Sequence, residues 1–414
     1  MKLFKSLLVA PATLGLLAPM AATANEVTVN DFNPAIEETL LAGGEGLVEE
    51  VTTSDVGFSS TTTMSGRADF QIGAANGDPT VISNESVTAT YAYDLDLNTS
   101  FTGNDNLYVG IETGNGSAST YFFTDNSGDG SDKLSITSMF YTFPLGEFTV
   151  AVGPKLDSDD LMPTSTSLYS DEFYFGGSPY SLPTNFYSKS VTGSGVAISR
   201  VFDNGLNASA SIIGSNANTS GLLTADGADA YTISLGYDTD NFGGGIIYQN
   251  SDNTCNLAAG FGVDVCTVYG LTGVDDGYNS LTFGAYYTGL DNTSISVTSS
   301  TNSISFSGYS VDNVTDFQIA VDRELGEGTL SASWKTFPFY KIPSATTPSI
   351  KSDSLGSVAE IYYTYNVNDS LSIKPGVAFT LPAHSLADAI ASGNAAQFYL
   401  GDRTVVGVEA TFKF

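Results

Sequence analysis

Apolar and polar side chains alternate with a period of two from about Thr61 to the end of the chain. Such alternation indicates strands with one apolar and one wet face, as in a sandwich or a barrel. The segment from Val87 to Phe101 is longer than the roughly five or six residues of an ordinary soluble strand. It is long enough for a tilted strand that crosses a bilayer, which needs about 9 to 11 residues, so its length favours a barrel. Its apolar face carries Val87, Ala89, Tyr91, Tyr93, Leu95, Leu97 and Phe101, and its polar face carries Thr88, Thr90, Asp94, Asp96, Asn98 and Ser100.

Roughly sixteen segments share this alternation. In the last of them the apolar residues alternate up to Phe414. The sequence places the segments near 61–72, 86–101, 105–112, 131–142, 147–153, 191–202, 206–214, 229–238, 242–250, 279–289, 293–300, 315–323, 328–336, 356–366, 370–379 and 403–414.

Every second connection between these segments is short and rich in Asn, Asp and Gly, which tight hairpins require. The remaining connections are long and polar. Short turns at one end and long loops at the other are typical of outer-membrane barrels. We therefore predict an all-β fold, a transmembrane antiparallel β-barrel of about sixteen strands with short periplasmic turns and long extracellular loops. The short connections are Thr102-Gly103-Asn104-Asp105, Pro144-Leu145-Gly146, Asp203-Asn204-Gly205, Asp238-Thr239-Asp240-Asn241, Leu290-Asp291-Asn292, Leu325-Gly326-Glu327 and Val367-Asn368-Asp369.

Three regions follow one another along the chain. Residues 1–24 have the basic start, apolar stretch and small residues of a secretory signal peptide. Residues 25–57 are acidic and do not alternate, so we expect a periplasmic N-terminal segment there. Residues 58–414 form the predicted barrel domain. The predicted location is the cell outer membrane.

Charge and motif content exclude several classes of function. Charged residues make up 14% of the chain, against about 25% in a typical soluble domain. The net charge of −31 opposes binding to the phosphates of nucleic acid. His384 is the single histidine, and we expect it in an exposed loop. The P-loop, GxGxxG, GxSxG and HExxH motifs do not occur, so we predict neither an enzyme nor a cofactor.

Three stretches of the sequence resemble a known family: the leader MKLFKSLLVAPATLGLLAPMAATA, the entry FSSTTTMSGRADFQIGA (Phe58–Ala74) and the last strand ending in Phe414. The chain resembles the outer-membrane porins of marine cyanobacteria, which are related to the carbohydrate-selective OprB porins and are often labelled iron-uptake porins. The resemblance implies a passive pore and a homotrimer. Phe414 resembles the terminal signal that the barrel-assembly machinery recognises, and the surrounding partners would be outer-membrane lipid and lipopolysaccharide.

One feature of that family is missing from the sequence. Many members carry an S-layer-homology domain and a coiled coil between the leader and the barrel, which tether the barrel to peptidoglycan. Residues 25–57 stand in that place without heptads. Peptidoglycan anchoring is therefore not expected here.

The longest connection in the barrel region, residues 157–188, is the candidate constriction of the pore. In general porins the loop at this position folds inward, and the resemblance implies that role here. An acidic loop opposite a basic wall would produce a transverse field that orients dipolar solutes, and the excess of carboxylates should favour cations. The loop carries Asp157, Asp159, Asp160, Asp171 and Glu172, and the lumen-facing basic residues predicted from strand parity are Arg67, Lys335, Lys374 and Arg403.

Two loops carry further candidate sites. Cys255 and Cys266 are close in sequence in an exported chain, so we predict a disulfide within a long surface loop. The oxygen-rich stretch that contains Asp125, Asp129 and Asp132 could bind Ca²⁺, although it lacks the distal bidentate Glu of an EF-hand. Its alternative is a solvated loop tip or one bridged to lipopolysaccharide by divalent ions.

Three other functions compete with a cation-favouring diffusion pore. A sugar-selective channel would use the aromatic residues of the loop at 157–188 to stack on sugar faces. A non-conducting barrel would only display its surface loops. A soluble secreted hydrolase would need a catalytic constellation, which the sequence lacks. Iron as the solute would come from the family label alone, because the sequence has no cluster of soft or imidazole ligands.

Overall fold

Backbone pairing joins sixteen strands into a closed antiparallel barrel in the computed structural model. The structure describes residues 61–77, 87–115, 132–169, 173, 191–224, 227–252, 277–306, 309–341, 351–381 and 403–414. All of them belong to the unit Thr61–Phe414. The predicted signal peptide (1–24) and acidic segment (25–57) lie outside the described residues.

The strands follow one another around the barrel in chain order, and β1 closes it by pairing with both β2 and β16. The strands are β1 (Thr62–Gly77), β2 (Thr88–Thr99), β3 (Asn106–Gly114), β4 (Ser135–Leu145), β5 (Phe148–Asp157), β6 (Thr192–Val201), β7 (Leu206–Gly214), β8 (Asp229–Asp238), β9 (Phe242–Asp252), β10 (Gly277–Leu290), β11 (Thr293–Phe306), β12 (Tyr309–Leu325), β13 (Gly328–Lys341), β14 (Lys351–Asn368), β15 (Leu371–Leu381) and β16 (Arg403–Lys413).

The alternation in the sequence separates the two faces of the wall. On β14, Ile361 is 43% exposed on the outside, whereas its neighbour Glu360 is 4% exposed on the inside. On β8, Ile233 is exposed while Thr232 and Ser234 are buried. An outer apolar face and an inner polar face are what a membrane-spanning barrel requires, and the predicted all-β barrel is confirmed.

Tight turns join each even-numbered strand from β2 to β14 to the strand that follows it in the chain. Two of these turns begin with a glycine in the left-handed region, Gly146 (φ 64°) and Gly326 (φ 65°), and the turn before β11 has Asn292 there (φ 52°). Glycine adopts this conformation without a Cβ clash, and Asn tolerates it better than most residues. The predicted short connections all lie at this end of the barrel, here called the turn rim.

Strand limits agree most closely where an alternating run ends at a tight turn. The segments 206–214 and 229–238 coincide with β7 and β8. By contrast, β11, β12, β13 and β14 extend further at the opposite rim than their alternation indicates. Backbone hydrogen bonds continue a ladder whatever side chains the strands carry, so pairing extends past the residues at which strict alternation ends.

Helical structure within the described ranges includes one short turn, α1 (Ala217–Ser220), in the connection from β7 to β8. None of the described helical residues form a helix long and apolar enough to cross a membrane.

Candidate pore and its lumen segment

The chain turns into the barrel after β5. Residues Asp157–Tyr169, here called the lumen segment, begin with a turn in which the backbone N–H of Asp157 donates to the carboxylate of Asp160 at 2.6 Å. Met162 then packs against Ile247, which points inward from β9 and is fully buried. The segment therefore leaves the rim and lies against the inner wall.

The middle of the lumen segment is bonded to three strands. Thr164 Oγ1 lies 2.8 Å from Asn207 Oδ1 on β7 and 2.7 Å from Ser234 Oγ on β8. Two residues later, the hydroxyl of Thr298 on β11 donates to the carbonyl oxygen of Thr166 at 3.1 Å. Thr164 and Thr166 are fully buried, so this part of the segment lies directly on the wall.

The far end of the lumen segment reaches the opposite side of the barrel. The backbone N–H of Leu168 donates to Ser296 Oγ on β11 at 3.0 Å. The hydroxyl of Tyr169 donates to the carboxylate of Glu360 on β14. Burial and the negative charge of Glu360 raise the pKa of Tyr169, which keeps the phenol protonated as the donor in this pair.

An aromatic cluster covers the wall beyond Tyr169. The Phe173 ring stacks on Tyr362 with centroids 6.3 Å apart, and both side chains are buried. Lys374 Nζ lies 5.6 Å from the centroid of the Tyr362 ring. Because Tyr169 and Phe173 are used for packing, these two aromatics do not present open faces on which a sugar could stack.

Three of the predicted acidic residues lie together at the start of the lumen segment. Burial by the surrounding wall, together with the charge of Asp157, raises the pKa of Asp159 to about 6. Burial also raises the pKa of Asp160 to about 7, and the charges of Asp157 and Asp159 add to it. The Asp160 side chain itself is open to the lumen.

Among the predicted basic residues, Arg67 forms ion pairs with two carboxylates of the inner wall. Its Nε lies 2.5 Å from Asp94 Oδ2 on β2 and 3.3 Å from Asp69 Oδ2 on its own strand. The β1–β2 register places Arg67 directly opposite Asp94. Its charge is therefore locally balanced.

The other predicted basic residues occupy β13, β15 and β16. Lys374 Nζ lies 2.9 Å from Glu409 Oε1 on β16. Lys335 is 5% exposed and interacts electrostatically with Asp316 on β12. Arg403 begins β16 in backbone pairing, but its side chain is not among those described. Of the four predicted basic residues, the three whose side chains are described, Arg67, Lys335 and Lys374, are thus each accompanied by a carboxylate.

The inner wall of β2 and β3 carries further functional candidates beyond those predicted. The hydroxyl of Tyr108 donates to Asp96 Oδ1 at 2.6 Å, and that of Thr137 donates to Glu112 at 3.0 Å. The negative charges of Asp96, Asp160 and Glu112 all act on Tyr108, so these carboxylates surround one part of the lumen. Strand parity counted from the turn at 102–105 could have placed Glu112 on the inner face.

The remaining predicted site residues are mostly outside the described residues: Asp125, Asp129, Asp171, Glu172, Cys255, Cys266 and His384. Asp132 is described, has φ 58° and accepts a hydrogen bond from Tyr91 at 2.6 Å. In the described part of the chain, no group of three His, Cys, Asp or Glu side chains could hold a metal ion.

Comparison with known proteins gives matches in structure only. No family model matches the sequence, and no curated protein is similar to it. A loop-deletion variant of OmpT, an outer membrane protein of Vibrio cholerae, aligns with a TM-score of 0.55 at 10% identity, over 86% of this chain and 99% of that one.

Two further solved structures give similar alignments. A mutant of Rh. blastica porin aligns with a TM-score of 0.51 at 11% identity, over 85% of this chain and 100% of that one. A solved structure from work on the asymmetric conductivity of engineered proteins aligns with a TM-score of 0.52 at 12% identity, again over 85% of this chain and 100% of that one. At these identities the likeness concerns the fold, and the chain has the closed sixteen-stranded barrel fold found in outer-membrane porins.

Proposed function

We propose that this protein is an outer-membrane porin that lets small hydrophilic solutes and inorganic ions diffuse passively, with a preference for cations. The observation that carries the proposal is a closed barrel with an apolar outer face, a polar inner face and one segment lying across part of its lumen. A barrel without edges satisfies its backbone hydrogen bonds in lipid. A barrel of sixteen strands with a polar interior is wide enough to hold a water-filled channel.

The outer face supports the membrane location. Large apolar side chains point outward from β1, β8, β10, β11, β12, β14, β15 and β16 and are 41–57% exposed. In water such a surface would be far larger than the apolar patches that soluble monomers tolerate. Examples are Phe70, Ile233, Leu235, Phe283, Val297, Ile319, Ile361, Phe379 and Phe412.

The position of the lumen segment supports a constricted but open pore. Its described contacts run along the inner wall from β7 to β11 and on to β14. We place the open passage on the other side of the barrel, beside β1, β2 and β3. The passage is then bounded by the start of the lumen segment on one side and by the polar wall that contains Arg67 and Asp96 on the other.

The charges beside that passage favour cations. Arg67 on β1 is outnumbered by four carboxylates on the inner face of β1–β3, and the acidic turn at 157–160 adds three more. A narrow lumen lined mainly by one sign of charge concentrates counter-ions. The four wall carboxylates are Asp69, Asp94, Asp96 and Glu112.

The partners follow from this role. We propose that membrane lipid surrounds the apolar band, that lipopolysaccharide contacts the rim opposite the turn rim, and that the protein assembles as a homotrimer, as the family resemblance implies. The barrel-assembly machinery would recognise the last strand with Phe414, whose ring is 55% exposed and stacks on Tyr93 with centroids 5.8 Å apart.

Reconstitution in a planar bilayer under a salt gradient tests the proposal. We expect discrete conductance steps and a reversal potential of the sign given by cation preference. Heat-denatured protein at the same concentration is the control. Folded protein that inserts without conducting would instead support a barrel that only displays its loops, and a reversal potential of the opposite sign would overturn the cation preference.

A further inference from the structure

Three lumen-facing glycines lie side by side where the lumen segment crosses the wall. Gly236 on β8 pairs with Gly245 on β9, which in turn pairs with Gly284 on β10. We call these three residues the glycine row. Glycine in the interior of a strand weakens it and commonly marks a close approach of another backbone. Three of them at one level of neighbouring strands leave a stretch of inner wall without side chains.

The lumen segment fills that stretch. A Cβ at Gly245 would overlap Cγ2 of Thr164, and a Cβ at Gly284 would overlap the carbonyl oxygen and Cβ of Thr166. A Cβ at Gly236 would overlap the side-chain oxygen of Asn207, the atom that Thr164 contacts. Each glycine therefore makes room for the segment or for a residue that binds it.

Polar residues bound the glycine row at both ends. The β7–β8 register puts Asn207 opposite Gly236, and the β10–β11 register puts Thr298 opposite Gly284. Asn207 contacts Thr164 and also donates to Asp238 at 2.6 Å. Thr298 donates to Thr166. The segment is thus bonded at each end of the row and in van der Waals contact between them.

We propose that the glycine row sets the width of the pore by fixing the depth at which the lumen segment lies against the wall. The inference rests on the proposed function as a pore and adds the residues that determine its size limit. Neighbouring strands are about 4.8 Å apart, so the glycine row leaves a stretch of wall about 10 Å wide, from β8 to β10, without side chains. Any side chain in the row would displace the segment toward the open passage.

Alanine substitutions in the row, each paired with a rescue, test this proposal. Gly245→Ala adds a methyl group that meets Cγ2 of Thr164, so we expect about twofold lower conductance and a smaller limiting size for neutral polyethylene glycols, because flow follows the free cross-section. Thr164→Ser removes that methyl group and keeps the hydroxyl. The double variant should therefore return to the wild-type values.

Gly284→Ala supplies a contrast, because its new methyl group meets the Thr166 carbonyl oxygen and Cβ, which serine also has. Thr166→Ser should therefore fail to rescue it. Gly289→Ala on β10 is the control: it adds a methyl group on the outer face near the turn rim, where the neighbouring atoms belong to the end of the exposed Tyr287 side chain. We expect its conductance to equal that of the wild type.

Heat-resistant migration in detergent gels provides a second readout for the same variants. A Gly245→Ala barrel that is less heat-stable or does not fold, and that Thr164→Ser restores, also supports the proposal. Wild-type conductance in Gly245→Ala and Gly284→Ala, or a Gly245→Ala defect that Thr164→Ser does not relieve, would overturn it. If the wild type does not conduct, the proposed function fails, and the gel shift still reports whether the row holds the segment.

Discussion

The hydroxyl of Tyr169 donates to the carboxylate of Glu360, 191 residues further along the chain. Tyr169 ends the lumen segment and Glu360 points inward from β14, so this pair ties the segment to the far wall. Both side chains are buried. A hydrogen bond to a buried carboxylate contributes more to stability than a hydrogen bond to an exposed carboxylate, because the buried group has no water to accept from when the donor is removed.

Removing that donor should loosen the lumen segment. Tyr169→Phe is expected to lower stability by about 1–3 kcal/mol and to increase the frequency of brief closures in single-channel records. Tyr287→Phe, which removes the hydroxyl of an outward-facing residue that is 46% exposed, serves as the control. Unchanged closure frequency in Tyr169→Phe would show that the pair does not hold the segment.

Charge in the lumen should determine ion selectivity. Replacing Asp157, Asp159, Asp160, Asp171 and Glu172 by Asn or Gln should reduce the cation-to-anion permeability ratio by about twofold or more, with a smaller change in conductance. The effect should fade near 1 M salt, where the Debye length is about 3 Å. The measurement is the reversal potential under a salt gradient.

The control removes three negative charges from the turn rim instead. Asp203→Asn, Asp291→Asn and Asp369→Asn lie in tight turns and should move the reversal potential much less. Lys374→Gln should raise cation preference, because it leaves Glu409 without its ion-pair partner on the wall, and Lys335→Gln should act in the same direction. If neither the acidic nor the basic set shifts the reversal potential, the acidic turn does not line the passage.

Cation preference should depend on pH. The pKa of Asp159 is raised to about 6 and that of Asp160 to about 7, so both carboxylates are ionised at pH 8 and mostly neutral at pH 5. Because protonation removes negative charge from the lumen, the permeability ratio should fall as the pH is lowered through this window. The reversal potential of the Asp159→Asn, Asp160→Asn double variant should be much less sensitive to pH there. An equally steep profile in that variant would assign the titration to other groups.

Adjacent residues on β2 should differ in access to water. Asp94→Cys points into the lumen and should react with a charged, membrane-impermeant thiol reagent. Leu95→Cys points outward into the apolar band and should be protected in the membrane. Both variants are made with Cys255 and Cys266 replaced by Ser. The reverse labelling pattern would contradict the assignment of faces.

Cys255 and Cys266 should form a disulfide whose reduction leaves the barrel folded. Barrel stability comes from the closed ladder of backbone hydrogen bonds, and a disulfide within one loop adds little to it. Reduced protein should therefore keep its heat-resistant migration in detergent gels. Loss of that migration on reduction would mean that the bridge supports the barrel itself.

The sequence was sufficient for the strands but not for the contacts inside the barrel. Alternation that ends at Asp, Asn and Gly turns placed β7 and β8 to the residue, because these signals are local. The Lys374–Glu409 and Arg67–Asp94 pairs depend on the registers of neighbouring strands, which alternation does not specify. The path of the lumen segment depends on contacts such as Tyr169 with Glu360, which no local pattern contains.

The glycine row shows the same limit. Gly236, Gly245 and Gly284 were not among the residues singled out from the sequence, because their alignment across three strands appears only when the hairpin and loop connections fix the registers. The predicted opposition of an acidic loop and a basic wall also depended on register. Parity identified Arg67 and Lys374 as lumen-facing, but it could not show that each has a carboxylate beside it.

Closure of the barrel between its first and last strands constrains the order in which the protein can mature. The N–H of Gly66 donates to the carbonyl of Phe414 at 3.0 Å, and the N–H of Phe414 donates to that of Gly66 at 3.1 Å. The strand synthesised first therefore waits for the strand synthesised last, while every intermediate has two unpaired edges. Such edges invite aggregation and cannot be exposed to lipid. The barrel therefore cannot close before the last strand has been synthesised, and pairing of β1 with β16 is the step that removes both edges.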